Sequence, residues 1–186
     1  MTEMRLTDGR TVVVRPETPD DAGSVRAVVA AAFDSDAEAD LVEAIRASPG
    51  YLPDLTLVAT IAGRVVGHVM VGVATLRHAG GDRQVAQLAP LAVDPAAQQL
   101  GIGSLLVREV LTRADARGEP IVVLEGSPAY YGRLGFVPAS EHGISLPLPD
   151  WAPPEAAQVH LLSRHAPDDA TLRGRVVYPP PFDALD

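Results

Sequence analysis

Apolar positions along the chain fall into alternating strand-like and helix-like spacings. A short β-branched run from Thr11 to Arg15 predicts a first strand, ended by Pro16, which lacks an N–H for a ladder. Thr18-Pro19-Asp20-Asp21 then carries the signature of a helix start, with Thr18 as cap, Pro19 in the first position and acids in the first turn. That helix is predicted through Val25, Val28, Val29 and Ala32 to Phe33, with one buried stripe. An acidic break from Asp34 to Asp40 leads into a second helix carrying Leu41, Val42, Ile45 and Arg46.

Leu55 to Ile61 and Val65 to Leu76 read as an antiparallel hairpin about the turn Ala62-Gly63-Arg64. Gly80-Gly81-Asp82 turns the chain into an apolar run from Val85 to Val93, completing a three-strand meander. Asp94-Pro95 stops this fourth strand. After a tight turn, Gln98-Gln99-Leu100-Gly101-Ile102-Gly103 opens a helix with Ile102, Leu105, Leu106, Val110 and Ala114 on one face. Glu119-Pro120 ends it, and Ile121-Val122-Val123-Leu124 is a buried-type fifth strand. Strand, helix, strand in that order implies a right-handed crossover and a parallel pair. Ala129 to Leu134 predicts a short helix capped by Gly135. Val159 to Arg164 and Arg175 to Tyr178 are expected to close the sheet as an antiparallel pair.

The length of 186 residues suits a single domain spanning 1–186. No run approaches the roughly 18 apolar residues of a membrane span, and the N-terminus has no apolar signal core, so a cytoplasmic location is expected. The absence of cysteine excludes a cysteinyl acyl-enzyme and thiolate metal sites. A net charge of −9 argues against nucleic acid and anionic membranes as partners. All 15 basic residues are arginine, so the chain cannot acetylate a lysine of its own. The five histidines show no metal-site spacing, and no metal is expected. His68 reads as a core or edge histidine rather than a base, and Trp151 as either an acceptor wall or a loop anchor.

The start of a helix presents unpaired N–H groups and the positive end of its dipole, and glycines let a ligand approach that backbone. A phosphate or pyrophosphate is the natural guest. The pattern Gln98-x-x-Gly101-x-Gly103, preceded by Leu91-Ala92-Val93-Asp94-Pro95, resembles the acetyl-CoA motif of the GNAT superfamily of N-acetyltransferases. Tyr130-Tyr131-Gly132-Arg133-Leu134-Gly135-Phe136 is similar to that superfamily's Tyr-x-x-x-Gly-Phe segment. With the segment from Phe33 to Ala39 and with Ser127-Pro128-Ala129, these motifs resemble the YhbS-like bacterial acetyltransferases. The resemblance implies an α/β (α+β) fold, a mixed, mostly antiparallel sheet with splayed parallel fourth and fifth strands and helices on its faces.

It also implies acetyl-CoA as cosubstrate, with the pyrophosphate on the backbone of Gln98, Gln99, Leu100, Gly101, Ile102, Gly103 and Ser104. Pantetheine would run along Leu91, Ala92 and Val93, with the Leu91 N–H polarising the acetyl carbonyl. The Leu91 side chain is expected in the core. Tyr131 matches the general acid that protonates the leaving thiolate. Where some members carry a titrating base on the fourth strand, this chain has Gln87 and Ala89. Glu125 is the nearest carboxylate to serve instead, or to bind a substrate ammonium, or to sit solvated at a strand end. Asp34 and Glu38, in the loop between the first two helices, either select a cationic amine or cap helices. The reading is direct acetyl transfer to a primary amine of a small molecule or peptide, by a monomer or homodimer. The alternative is a non-catalytic acetyl-CoA-binding module, a sensor or complex subunit.

Overall fold

The computed structural model describes residues 1–185, so the expected domain end at Asp186 lies outside the described residues. In chain order the elements are β1 (Thr2–Arg5), β2 (Thr11–Pro16), α1 (Ala22–Phe33), α2 (Ala37–Arg46), β3 (Thr56–Ile61), β4 (Arg64–His78) and β5 (Gly81–Val93). They continue with α3 (Ile102–Arg117), β6 (Ile121–Glu125), α4 (Pro128–Tyr131), β7 (Val137–Pro138), β8 (Ile144–Ser145), β9 (Ala157–Leu161) and β10 (Gly174–Val177). The strands form a mixed, mostly antiparallel sheet. The chain resolves into two compact units. One comprises Met1–Gly72, Ala89–Arg113 and the chain from Pro181; the other comprises Val73–Leu88 and Ala114–Pro180.

In the first unit β1, β2, β3 and the opening half of β4 pair antiparallel, with Met4 opposite Val12, Val13 opposite Thr60 and Leu57 opposite Val69. Its core lies between this sheet and helices α1 and α2, whose Val25, Val28, Val29, Leu41, Val42 and Ile45 pack with Val58 and Met70. Phe33, expected on the buried stripe of α1, is instead 42% exposed. The entry into α1 is not a plain helix start. Pro19–Asp21 form a single 3-10 turn, and the Asp21 carboxylate accepts from the Thr18 N–H and hydroxyl at 2.8 Å each. Arg15 holds the same carboxylate from the other side at 2.7 and 2.8 Å. On the opposite face of β4, Gly67 leaves room for α3: a Cβ there would lie 3.0 Å from Leu106 and 3.2 Å from Ile102.

In the second unit β5 pairs parallel with β6 through Ala86 with Val122 and Gln87 with Val123, and this short ladder ends there, ahead of Pro90. The other edge of β6 is fully used by antiparallel β9, from Ile121 opposite Leu161 to Glu125 opposite Ala157. The expected pairing between the two closing strands does not form. β9 joins β6 and β7, whereas β10 pairs antiparallel with β4 and parallel with β8. Each strand sets fully buried apolar residues side by side: Val159 beside Val123, and Val176 beside Leu76. The core of this unit includes Leu76, Val85, Ile121, Val123, Val159 and Val176. The predicted helix from Ala129 to Leu134 is divided between α4 and a 3-10 turn, Gly132–Leu134, with Gly135 left-handed at φ 88° as expected of a cap.

Candidate active site

The turn after β5 belongs to the first unit and is built by short-range bonds. Asp94 donates its N–H to Val66 O at 2.9 Å, and its side chain accepts from the Ala96 N–H at 2.9 Å. Gln98 donates its side-chain amide to Val93 O at 3.1 Å, tying the turn back to the strand. Gln99 at φ 62° and Gly101 at φ 81° are both left-handed, which reverses the chain before α3. The opening bond of the helix runs from the Leu105 N–H to Gly101 O at 3.0 Å. The N–H groups of Ile102, Gly103 and Ser104 therefore precede the helical ladder. Gln98, Gln99 and Gly101 are exposed, Leu100, Gly103 and Ser104 are half-buried, and Ile102 is buried. Ala92 is buried, while Leu91 and Val93 are half-buried, which corrects the expectation of a core side chain at Leu91. The alternation places Ala92 under the helices and leaves its neighbours on the less covered side.

Asp34 and Glu38 also lie in the first unit. Asp34 caps α1 in the left-handed region at φ 52°, and Glu38 sits in the first turn of α2 rather than in the loop. Capping accounts for Asp34. Glu38 differs, because its Oε2 is buried with no hydrogen-bond partner among the described residues. A carboxylate oxygen so placed is an acceptor waiting for a donor. The remaining acids, Asp36, Asp40 and Glu43, are taken up by Arg26 at 3.5, 2.7 and 3.1 Å.

Glu125 and Tyr131 lie in the second unit. The peptide N–H of Tyr131 donates to Ser127 O at 3.0 Å, and its C=O accepts from the Phe136 N–H at 3.2 Å. The left-handed Gly135 makes that second bond possible and brings Phe136 edge-on to the Tyr131 ring at 5.5 Å. This is the physical content of the Tyr-to-Phe spacing read in the sequence. Tyr130 meets the same ring edge-on at 4.9 Å. Burial, and to a lesser degree the neighbouring Tyr130, pushes the Tyr131 phenol well above the usual tyrosine range. It keeps its proton at neutral pH. Glu125 is exposed at the end of β6, yet loss of hydration raises its pKa, opposed in part by the Tyr178 hydroxyl 3.4 Å away. Geometry at that distance makes the hydrogen bond weak, so desolvation is the effect that decides the direction.

One charged cluster was invisible in the sequence. Glu17 lies 3.0 Å from the His68 ring through Nε2 and 2.6 Å from Arg46. The imidazole is completely buried, and burial pushes its pKa down although Glu17 opposes this. His68 is therefore a core histidine, as expected, but its Nδ1 has no partner among the described residues. Glu17, in a polar stretch just past β2, gave no pattern from which to predict its burial. Trp151, at 83% exposed, anchors no loop. Among the described residues no His, Asp and Glu side chains group as a metal site would need, and no helix is long and apolar enough to cross a membrane.

Comparison with known proteins identifies the family. Residues 13–139 match the acetyltransferase (GNAT) domain family. The chain is 38% identical to the uncharacterised N-acetyltransferase YhbS of Escherichia coli over 162 residues, covering 86% of this chain and 93% of that protein. It is 32% identical to YjhQ of the same organism, covering 84% and 86% of the respective chains. The crystal structure of E. coli YhbS in complex with CoA superposes with a TM-score of 0.83 at 34% identity, covering 98% of this chain and 96% of that one. A GNAT family acetyltransferase from Brucella melitensis in complex with acetyl-CoA gives 0.73 at 29% identity, covering 92% and 98%. With well over half of its length inside the family match, and the glycine turn and tyrosine segment in place, the chain belongs to the GNAT acetyltransferase family.

Proposed function

We propose that the protein transfers an acetyl group directly from acetyl-CoA to a primary amine of a small molecule or peptide. The observation that carries this is the set of N–H groups at the start of α3 that precede the helical ladder, in a chain whose relatives YhbS and the Brucella protein are described with CoA and acetyl-CoA. Coenzyme A is a polyanion and the chain has a net charge of −9, so local donors must hold it. The backbone of Gln98, Gln99, Leu100, Gly101, Ile102, Gly103 and Ser104 takes the pyrophosphate without adding charge. Pantetheine lies along Leu91, Ala92 and Val93, where β5 has left its parallel partner, and the Leu91 N–H stabilises the charge that develops on the acetyl oxygen.

In the reaction the neutral amine attacks the thioester carbonyl and the C–S bond breaks with its electron pair going to sulfur. Tyr131, a phenol that keeps its proton at neutral pH, supplies the proton to that sulfur. The proton released by the amine passes through water to Glu125. The unpartnered carboxylate oxygen of Glu38, together with Asp34 at the end of α1, holds a cationic acceptor. The family match spans residues of both units, which favours a single acetyltransferase domain over 1–186, working as a cytoplasmic monomer or homodimer without a metal. Incubation with acetyl-CoA and a panel of polyamines, amino-sugar compounds and peptides, read by mass spectrometry, tests this. A product heavier by one acetyl group supports transfer. Binding of acetyl-CoA with no acetylated amine in any class leaves the second reading, a cofactor-binding sensor or complex subunit, which the non-titrating Gln87 and Ala89 favour.

A further inference from the structure

We propose that Gly126 is the seat of the Tyr131 ring, a positioning residue that fixes where the phenol hydroxyl points. This rests on the reading of Tyr131 as the proton donor. Gly126 follows β6 and is pinned on both sides. Its N–H donates to Ala156 O at 3.0 Å, and its C=O accepts from the Gln158 side-chain amide at 3.0 Å. Gln158 is itself only 2% exposed, so this clamp is held inside the unit. Backbone conformation does not explain the glycine, because its φ lies outside the left-handed region.

Space explains it. A Cβ at position 126 would fall 2.8 Å from Tyr131 Cδ2, nearer still to Cε2, and 3.3 Å from Leu124 Cδ1. The clamped backbone cannot retreat, so the ring would have to move. That ring is already bounded by Tyr130 and Phe136, edge-on at 4.9 and 5.5 Å, and its own peptide is tied to Ser127 and Phe136. Bare Gly126 is thus a third wall, against the Cδ2–Cε2 edge of the ring. The step it serves is the transfer of the phenol proton to the sulfur as the C–S bond breaks, with water then returning a proton to the phenolate. Such a transfer needs the hydroxyl within hydrogen-bond reach of its target, and a ring displaced by an ångström loses that reach.

The test compares Gly126→Ala, Tyr131→Phe and the double variant. CoA thiol release from acetyl-CoA, with water as acceptor, is followed with dithionitrobenzoate, and acetyl-CoA affinity by calorimetry. Gly126→Ala should lower kcat on the order of 10²-fold, as far as Tyr131→Phe, with acetyl-CoA affinity held within about threefold. Added to Tyr131→Phe it should cost nothing more. The Tyr131 ¹³Cζ resonance should titrate at lower pH in Gly126→Ala, because the ring leaves its buried seat. Gln158→Met, which opens the clamp without adding atoms at position 126, should shift it the same way. A normal rate and an unmoved titration in Gly126→Ala overturn the proposal, and so does an equal loss in the Tyr131→Phe background, which marks general damage. If Tyr131→Phe turns over normally while the resonance still shifts, the seat stands and the acid role of Tyr131 falls.

Discussion

Tyr131 and Glu125 must hold protons in opposite senses, and their surroundings allow both at neutral pH. Desolvation raises each pKa; for the phenol this secures the acid form, while for the carboxylate it moves the base form to higher pH. The rate of acetyl transfer should therefore climb with pH as Glu125 loses its proton, at a pH above the ordinary carboxylate range. Glu125→Gln should remove that limb of the pH–rate profile; an identical profile in the variant excludes Glu125 as the base. Glu17 makes a prediction about stability. It bridges His68 and Arg46 with its side chain 4% exposed, so Glu17→Gln leaves the half-buried Arg46 guanidinium without its partner and should cost about 3 kcal/mol in urea unfolding. An unchanged midpoint would show the cluster to be neutral. The same burial sets an acid limit. His68 has a folded pKa below its unfolded value, so its neutral form supports the fold above about pH 6.5, and that support is lost as pH falls below it. Asp21, held far below the usual carboxylate range first by Arg15, adds stability present above about pH 3.9 and lost on further acidification.

Between elements, α3 depends closely on β4. Gly67 lets Ile102 and Leu106 approach the strand, with Ala92 O 3.3 Å from where its Cβ would stand. Gly67→Ala should destabilise by about 1–3 kcal/mol through overpacking, read as a lower Tm, and should also weaken acetyl-CoA binding because the start of α3 moves with Ile102. A variant of normal stability would mean that the neighbouring side chains yield easily. Elements whose apolar spacing was strong were legible from sequence: Val25, Val28 and Val29 on α1, and Ile121 to Leu124 on β6. β1 was not. Thr2 and Met4 are half-buried while Glu3 and Arg5 are exposed, and with only Met4 apolar among these four residues the alternation is too short and too polar to read as a strand. The partners of β9 and β10 were illegible for another reason. Two short strands divided by a loop carry no local signal of which distant strand they join, and long-range burial beside Val123 and Leu76 decided it.

At the scale of the whole chain, the glycine turn, Leu91, Asp34 and Glu38 lie in one compact unit, and Glu125 and Tyr131 in the other. Sequence motifs reached these residues because each sits in a short segment with a local reason for its spacing, such as the left-handed Gly101 and Gly135. They did not reach Glu17, Arg46 or Gly126, whose roles depend on partners distant in sequence and show only in three dimensions. Whatever the acceptor, the central claim is that the backbone opening α3 holds the pyrophosphate of acetyl-CoA. Ligand held there should stabilise the chain by about 2.7 kcal/mol at a hundredfold its Kd. The most direct test is calorimetric titration of acetyl-CoA into the wild type and into Gly103→Val, whose side chain would intrude on the donor set. Micromolar binding by the wild type, lost in the variant, is the predicted result. Equal binding by both would place the cofactor elsewhere, and no binding by the wild type would contradict the acetyl-CoA site altogether.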